Sequence, residues 1–347
     1  MLIKPNNPYL QYSGRIDWTN KEAPVLVYPC SYIKMKFTGT YVKAVVENQK
    51  NYWSSFLGFF IDGEQKCVKI ADDGKETIVL ADGLDNIEHE LMLFKRMDSC
   101  HVLTFYGFEV DEGAALGEVE PKPIRKVEVY GDSVSAGEVS EAIDYAGQAD
   151  PEHDGEYSNS YYSYAWMTAR NLNAEIHDIA QGGAALLDGT GWFDRPDFMG
   201  MESIYDKIQY YPELARPRKW DFKQYRPHVV IVAIGQNDAN PENYMAEDYD
   251  GEKAKRWREA YRGFVANLRT IYPKATIILA TTILEHDANW DRAIDEVCCE
   301  LADERIHHFL YSNNGTGTPG HIRKPEAERM SEELTAFIES LGEGIWE

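Results

Sequence analysis

The stretch Val127-Glu128-Val129-Tyr130-Gly131-Asp132-Ser133-Val134-Ser135-Ala136-Gly137 decides how the chain is read. Val127 to Tyr130 has strand composition, and it runs into a glycine-flanked turn with a serine at its tip. A hydroxyl placed directly after a strand points into the crevice at the sheet edge. The backbone N–H groups that follow begin a helix, where an oxyanion is favoured. Ser133 is equally a capping residue for an ordinary strand-to-helix turn. The pattern Gly-Asp-Ser-x-Ser-x-Gly is not the GxSxG elbow of α/β-hydrolases.

Downstream of Pro123 the chain alternates between strand and helix patterns. Residues 175–180, Val229 to Ile234, Thr276 to Ala280 and Ile306 to Leu310 read as strands, the middle two apolar enough to be buried on both faces. Between them lie helical stretches at 161–172, 252–271, 288–302 and 325–341. In the second of these Trp257, Tyr261, Phe264, Val265 and Leu268 share one face. Such alternation implies a parallel sheet with helices on both faces and a site at the carboxyl ends of its strands.

Upstream, the region from Tyr9 to about Val119 shows short alternating runs with a turn signal every ten or so residues, as in Ile33 to Phe37 and in Leu57 to Ile61 before Asp62-Gly63. That pattern favours an all-β sandwich. A polar connector from Asp111 to Pro123 separates the two regimes. The expected organisation is therefore a β-sandwich over 1–121 and an α/β domain over 122–347.

Composition narrows the function. The chain has 347 residues, 44% hydrophobic, with a formal net charge of −23. The acidity disfavours nucleic acid and anionic membrane as partners and suits a neutral substrate such as a sugar. The N-terminus has no apolar h-region and no run of about 18 apolar residues occurs, so neither a signal peptide nor a membrane helix is expected. The five cysteines lack CxxC spacing and read as free thiols of a reducing cytoplasm. No metal-ligand spacing is present, and no cofactor is expected.

Three more strand ends carry chemistry. Gly182-Gly183 follows the second parallel strand, where glycine lets a backbone N–H approach a ligand. Gly235-Gln236-Asn237-Asp238 follows the third, and the Asn237 side chain can donate to an oxyanion. Both are also plain turns. His321, in Pro319-Gly320-His321 after the last strand, is a general base for Ser133. His286, after the fourth strand, is its rival. Trp192 and Trp290 stand near strand ends and are candidate sugar-stacking residues, with core packing as the alternative for each.

Together, Gly131-Asp132-Ser133, the glycine after the second strand, Gly235-x-Asn237-Asp238 and a late His321 resemble the four blocks of the SGNH (GDSL-type) hydrolases. The sandwich ahead of them, with Gly14-Arg15-Ile16, Phe37-x-Gly39-Thr40, Ile61-Asp62-Gly63, Lys95-Arg96 and Phe105-x-Gly107-Phe108, is similar to carbohydrate esterase family 2. The resemblance implies a flavodoxin-like sheet behind a jelly-roll module, and removal of O-acetyl groups from hemicellulose-derived oligosaccharides of the mannan, glucomannan or xylan type. It implies Ser133 as nucleophile, His321 as base, and an oxyanion hole made by the Ser133 amide, the Gly182 amide (or Gly183) and the Asn237 side chain. One position departs from the superfamily: the usual Asp three residues before the histidine is Thr318 here. Some members are described as using a Ser-His dyad, so what orients His321 stays open. A lipolytic GDSL esterase and a catalytically inert carbohydrate-binding protein are the alternatives.

Overall fold

A computed structural model describes residues 1–192, 198–210 and 217–347. The N-terminal region is one antiparallel ten-stranded sheet. Its main strands are β1 (Tyr32–Gln49), β2 (Phe56–Ile61), β3 (Glu64–Lys69), β4 (Lys75–Lys95) and β5 (Val102–Val110). The expected sandwich is made by a single sheet that curls on itself. β1 and β4 are 18 and 21 residues long and bend without breaking. Their register shifts at Gly39/Tyr41 and again at Val42/Lys43, and such irregularities add twist to a ladder. The curl encloses an apolar core that includes Ile33, Met35, Phe37, Leu91, Leu93, Phe105 and Phe108.

The second region is a five-stranded parallel sheet of β6 (Arg125–Gly131), β7 (Ala174–Ala180), β8 (Val229–Ala233), β9 (Thr276–Ala280) and β10 (Ile306–Phe309). The order is β7-β6-β8-β9-β10, the flavodoxin-like arrangement. Side chains alternate across it. Val127, Val129, Val229, Ile231 and Ile278 face α2 (Tyr164–Asn171) and α5 (Lys324–Ser340), while Tyr130, Val230, Val232, Ile277 and Leu279 face α3 (Glu252–Ile271) and α4 (Ala288–Leu301). All five residues of α3 expected on its apolar face are buried. α1 (Ser133–Ala136) is a single turn.

A buried ion pair joins the start of the chain to β6. The Arg15 guanidinium lies 3.3 Å from Glu128, both side chains 0% exposed. Arg15 also donates to the Tyr130 hydroxyl (3.0 Å) and the Tyr205 carbonyl (2.6 Å), and the Tyr272 hydroxyl donates to Glu128 (2.7 Å). Removing one partner of such a pair leaves an uncompensated buried charge. Arg15→Met should therefore cost about 3–5 kcal/mol in chemical denaturation, and adding Glu128→Gln should recover part of that loss.

Candidate functional site

Ser133 follows β6 directly. Asp132 caps the turn by accepting the Val134 N–H (3.0 Å), and Gly137, at φ +75°, ends it. The helix expected to support an oxyanion is thus one turn long, with its Val134 amide already engaged. Any backbone donor for an oxyanion here is the Ser133 amide itself, without help from a long helix dipole.

Ser133, Gly182, Asn237 and His321 line one cavity of about 390 Å³. It lies where the carboxyl ends of β6, β7, β8 and β10 converge, as parallel sheets of this kind dictate. Asn237 comes off the β8 turn, and its Nδ2 donates to Asp132 (2.9 Å); the Gln236 amide donates to the same oxygen. A primary amide carries two N–H donors, so Asn237 keeps a second for the cavity. Asp238 has a structural part instead. It is buried beneath the turn, accepting from the Leu186 N–H (3.0 Å) and from Trp257 Nε1 (2.8 Å). That pins the loop after β7 to the loop after β8.

Gly182 needs correction as an oxyanion donor. Its N–H donates to Asp98 Oδ2 at 2.5 Å, so this amide is committed. Gly183, the alternative, lines the same cavity. A Cβ at 182 would collide with Glu138 and come within 2.7 Å of the Tyr52 hydroxyl, so both side chains would have to shift to admit any other residue.

His321 keeps 23% of its side chain exposed. Its Nδ1 is 2.5 Å from Asp150 Oδ2, and its backbone N–H donates to Asp150 Oδ1 (2.9 Å). Nε2 lies 3.7 Å from Glu138 Oε2. Burial alone would push the imidazole pKa down, but the Asp150 hydrogen bond and the charges of Glu138, Asp150 and Asp132 raise it above the usual value. His286, the rival, has no such opening. It is 1% exposed, with Nδ1 against the Leu284 carbonyl (2.7 Å) and Nε2 against Asp291 (3.0 Å). Both ring nitrogens serve the packing between β9 and α4.

The two tryptophans separate cleanly. Trp192 is 69% exposed and lines the cavity. Trp290 is 0% exposed, packs edge-on to Trp257 and donates to Asn243 (3.0 Å), so it is a core residue and not a sugar platform. Sequence reasoning missed Tyr52, Trp53, Glu138, Asp150 and His153, all of which line the cavity. Trp53 packs against His153 with ring centroids 4.2 Å apart. The adjacent aromatics of Asn51-Tyr52-Trp53 in a polar turn are the one sequence signal that pointed to this wall.

Two cavity carboxyls are held high. Burial, opposed by the Val134 N–H and His321, pushes Asp132 up to about 6. Burial, with the charge of Asp98 added, pushes Glu138 from 4.5 up to about 8. Geometry agrees: the Tyr52 hydroxyl is 2.8 Å from Asp98 and 3.2 Å from Glu138. One hydroxyl proton cannot serve both at once, so the second carboxyl is left short of a donor and its neutral form is favoured. Since the folded state holds the Glu138 proton more tightly than the unfolded chain, the associated stability is intact below pH 4.5 and is lost as pH rises from there to about 8. Melting temperatures across that range should therefore fall less for Glu138→Gln than for the wild type.

Comparison with known proteins follows the same lines. Residues 12–119 match the family described as carbohydrate esterase 2 N-terminal. Over 96% of its length the chain is 28% identical to the cellulase/esterase CelE of Acetivibrio thermocellus, and it spans 40% of that protein. It is 25% identical to an acetylxylan esterase / glucomannan deacetylase of Cellvibrio japonicus, covering 98% of this chain and 90% of that one. The structure of a family two carbohydrate esterase from Clostridium thermocellum in complex with cellohexaose superposes with a TM-score of 0.79 at 24% identity, over 96% of this chain and 98% of that one. That likeness is one of fold.

Proposed function

We propose that this chain, which carries the carbohydrate esterase 2 N-terminal domain and shares the fold of a family two carbohydrate esterase, is a serine esterase that removes O-acetyl groups from hemicellulose-derived oligosaccharides. One observation carries the reading: a serine, a histidine and an amide side chain from three different strand ends meet in one cavity large enough for an acetylated sugar unit. The names of the curated relatives supply the substrate class.

In the proposed reaction Ser133 Oγ attacks the acetyl carbonyl and His321 Nε2 takes its proton. The tetrahedral oxyanion is held by the Ser133 amide, the Asn237 side chain and the loop at Gly183. His321 then returns the proton to the departing sugar oxygen. Water, deprotonated by the same imidazole, attacks the acetyl-serine; the acyl bond to Ser133 Oγ breaks, the imidazolium returns the proton to that oxygen, and acetate is released. Trp192 and Trp53 offer apolar faces to a pyranose ring. The carboxylates of Asp132 and Asp150 among the lining residues favour neutral glycans over uronic acids.

Acetate release from acetylated xylo- and manno-oligosaccharides tests the scheme. Ser133→Ala and His321→Ala should lose turnover, whereas His286→Ala should retain it. Wild-type turnover in Ser133→Ala would overturn the assignment. Asn237→Ala should lower kcat by about 10²–10³-fold, the effect of deleting one oxyanion donor. Activity rising with acyl chain length would instead favour a lipolytic enzyme.

A further inference from the structure

We propose that Asp150, on the loop between α1 and α2, is the positioning residue that orients His321, filling the place that Thr318 leaves vacant. This rests on the reading of Ser133 and His321 as nucleophile and base. The two residues stand 171 positions apart in the chain. One carboxylate grips the histidine twice, at Nδ1 (2.5 Å) and at the backbone N–H (2.9 Å). A carboxylate at Nδ1 selects the tautomer whose Nε2 accepts a proton, and it stabilises the imidazolium that forms.

The surroundings are built around this contact. Arg323, 0% exposed, pairs with Asp150 Oδ1 at 2.8 Å and donates to the His321 carbonyl. Carboxylate, imidazole and guanidinium thus form a closed set that fixes the ring. Gly320 lets the Asp150 loop dock there: a Cβ on it would collide with the Gln148 carbonyl and sit 2.7 Å from Asp150 Oδ1. Thr318 is turned to other work. Its carbonyl accepts the Glu285 N–H (2.8 Å) and its hydroxyl the Gly320 N–H (3.3 Å). Glu138 does not compete as the orienting acid, because it approaches Nε2 and stays 3.7 Å away.

The groups facing His321 are Asp150 and Arg323, Glu138 beyond α1, Asp132 at the end of β6, and His153 on the Asp150 loop. Burial alone would raise the Asp150 carboxyl, but the His321 hydrogen bond and the charges of His321 and Arg323 hold it well below the usual range. Asp150 therefore stays charged wherever His321 can act as a base.

The test uses the full chain with Asp150→Asn and Asp150→Glu beside Ser133→Ala and His321→Ala. Steady-state kinetics on an acetylated xylo-oligosaccharide are read across pH. Asp150→Asn should lower kcat by roughly 10²–10⁴-fold with KM little changed. The acid limb of kcat/KM should move to lower pH, because the imidazole loses the charge that raises its pKa. A far-downfield imidazole proton in the NMR spectrum should vanish in Asp150→Asn and His321→Ala, and Asp150→Glu should recover part of kcat. A residue that only packs the loop would leave the acid limb in place. Wild-type kcat and an unmoved limb in Asp150→Asn, with His321→Ala inactive, overturn this proposal alone. An active His321→Ala overturns it together with the reading on which it rests. Where Asp150→Asn fails to fold, Asp150→Ser, which also removes the charge, is read for the same shift of the acid limb, and an unmoved limb there overturns the proposal.

Discussion

The Asp98 carboxylate receives the Gly182 N–H at 2.5 Å and the Tyr52 hydroxyl at 2.8 Å, and the site depends on that arrangement. Asp98 belongs to residues 95–101, which leave β4 and lead to β5 and are buried throughout. Ser99 next to it donates through its amide (3.2 Å) and its hydroxyl (2.7 Å) to the Ala180 carbonyl at the end of β7. Arg96 donates to the Ser158 carbonyl (2.9 Å), holding the far end of the Asp150 loop. Lys95, its pKa pushed down to about 7 by burial, donates to the carbonyls of Met97 and Asp98. Buried polar groups are stable only when paired, so these loops keep their places relative to one another. One wall of the cavity is therefore the Tyr52-Trp53 turn of the N-terminal region, and that region is part of the site rather than an appendage to it.

The same packing sorts the acidic groups. Asp132 and Glu138 are enclosed by protein, and burial raises both of their pKa values against the opposing pull of His321. Asp150 faces Arg323 and His321, and it stays ionised. Chemically similar side chains in one cavity thus differ in charge because their surroundings differ.

Much of the fold was legible from residue order. The period-2 runs of the first third and the apolar runs Val229 to Ala233 and Thr276 to Ala280 report local burial, which neighbouring residues encode. The strand ends carrying Ser133, Asn237 and His321 were legible for the same reason. What residue order left open was any choice between chemically equal candidates. Trp192 and Trp290 have identical side chains, yet one is exposed and the other buried against Trp257. His286 and His321 both follow strands, but His286 Nε2 is engaged by Asp291, whereas among the described residues His321 Nε2 has no hydrogen bond and only Glu138 at 3.7 Å. The committed amide of Gly182 was invisible because its acceptor, Asp98, lies 84 residues away.

The sequence by itself determined the order of elements, the parallel sheet, the serine at the end of β6 and the points where a glycine, an amide and a histidine would join it. These follow from patterns a few residues long, set by the pleat of a strand and the pitch of a helix. Only the tertiary structure decided which carboxylate meets His321, which amide is spent on Asp98, and which aromatic side chains wall the cavity. Those are contacts between loops whose backbones carry no periodic signal. They are settled by the requirement that every buried charge and donor finds a partner across the fold. For Ser133 that requirement left the hydroxyl in a cavity lined by the histidine.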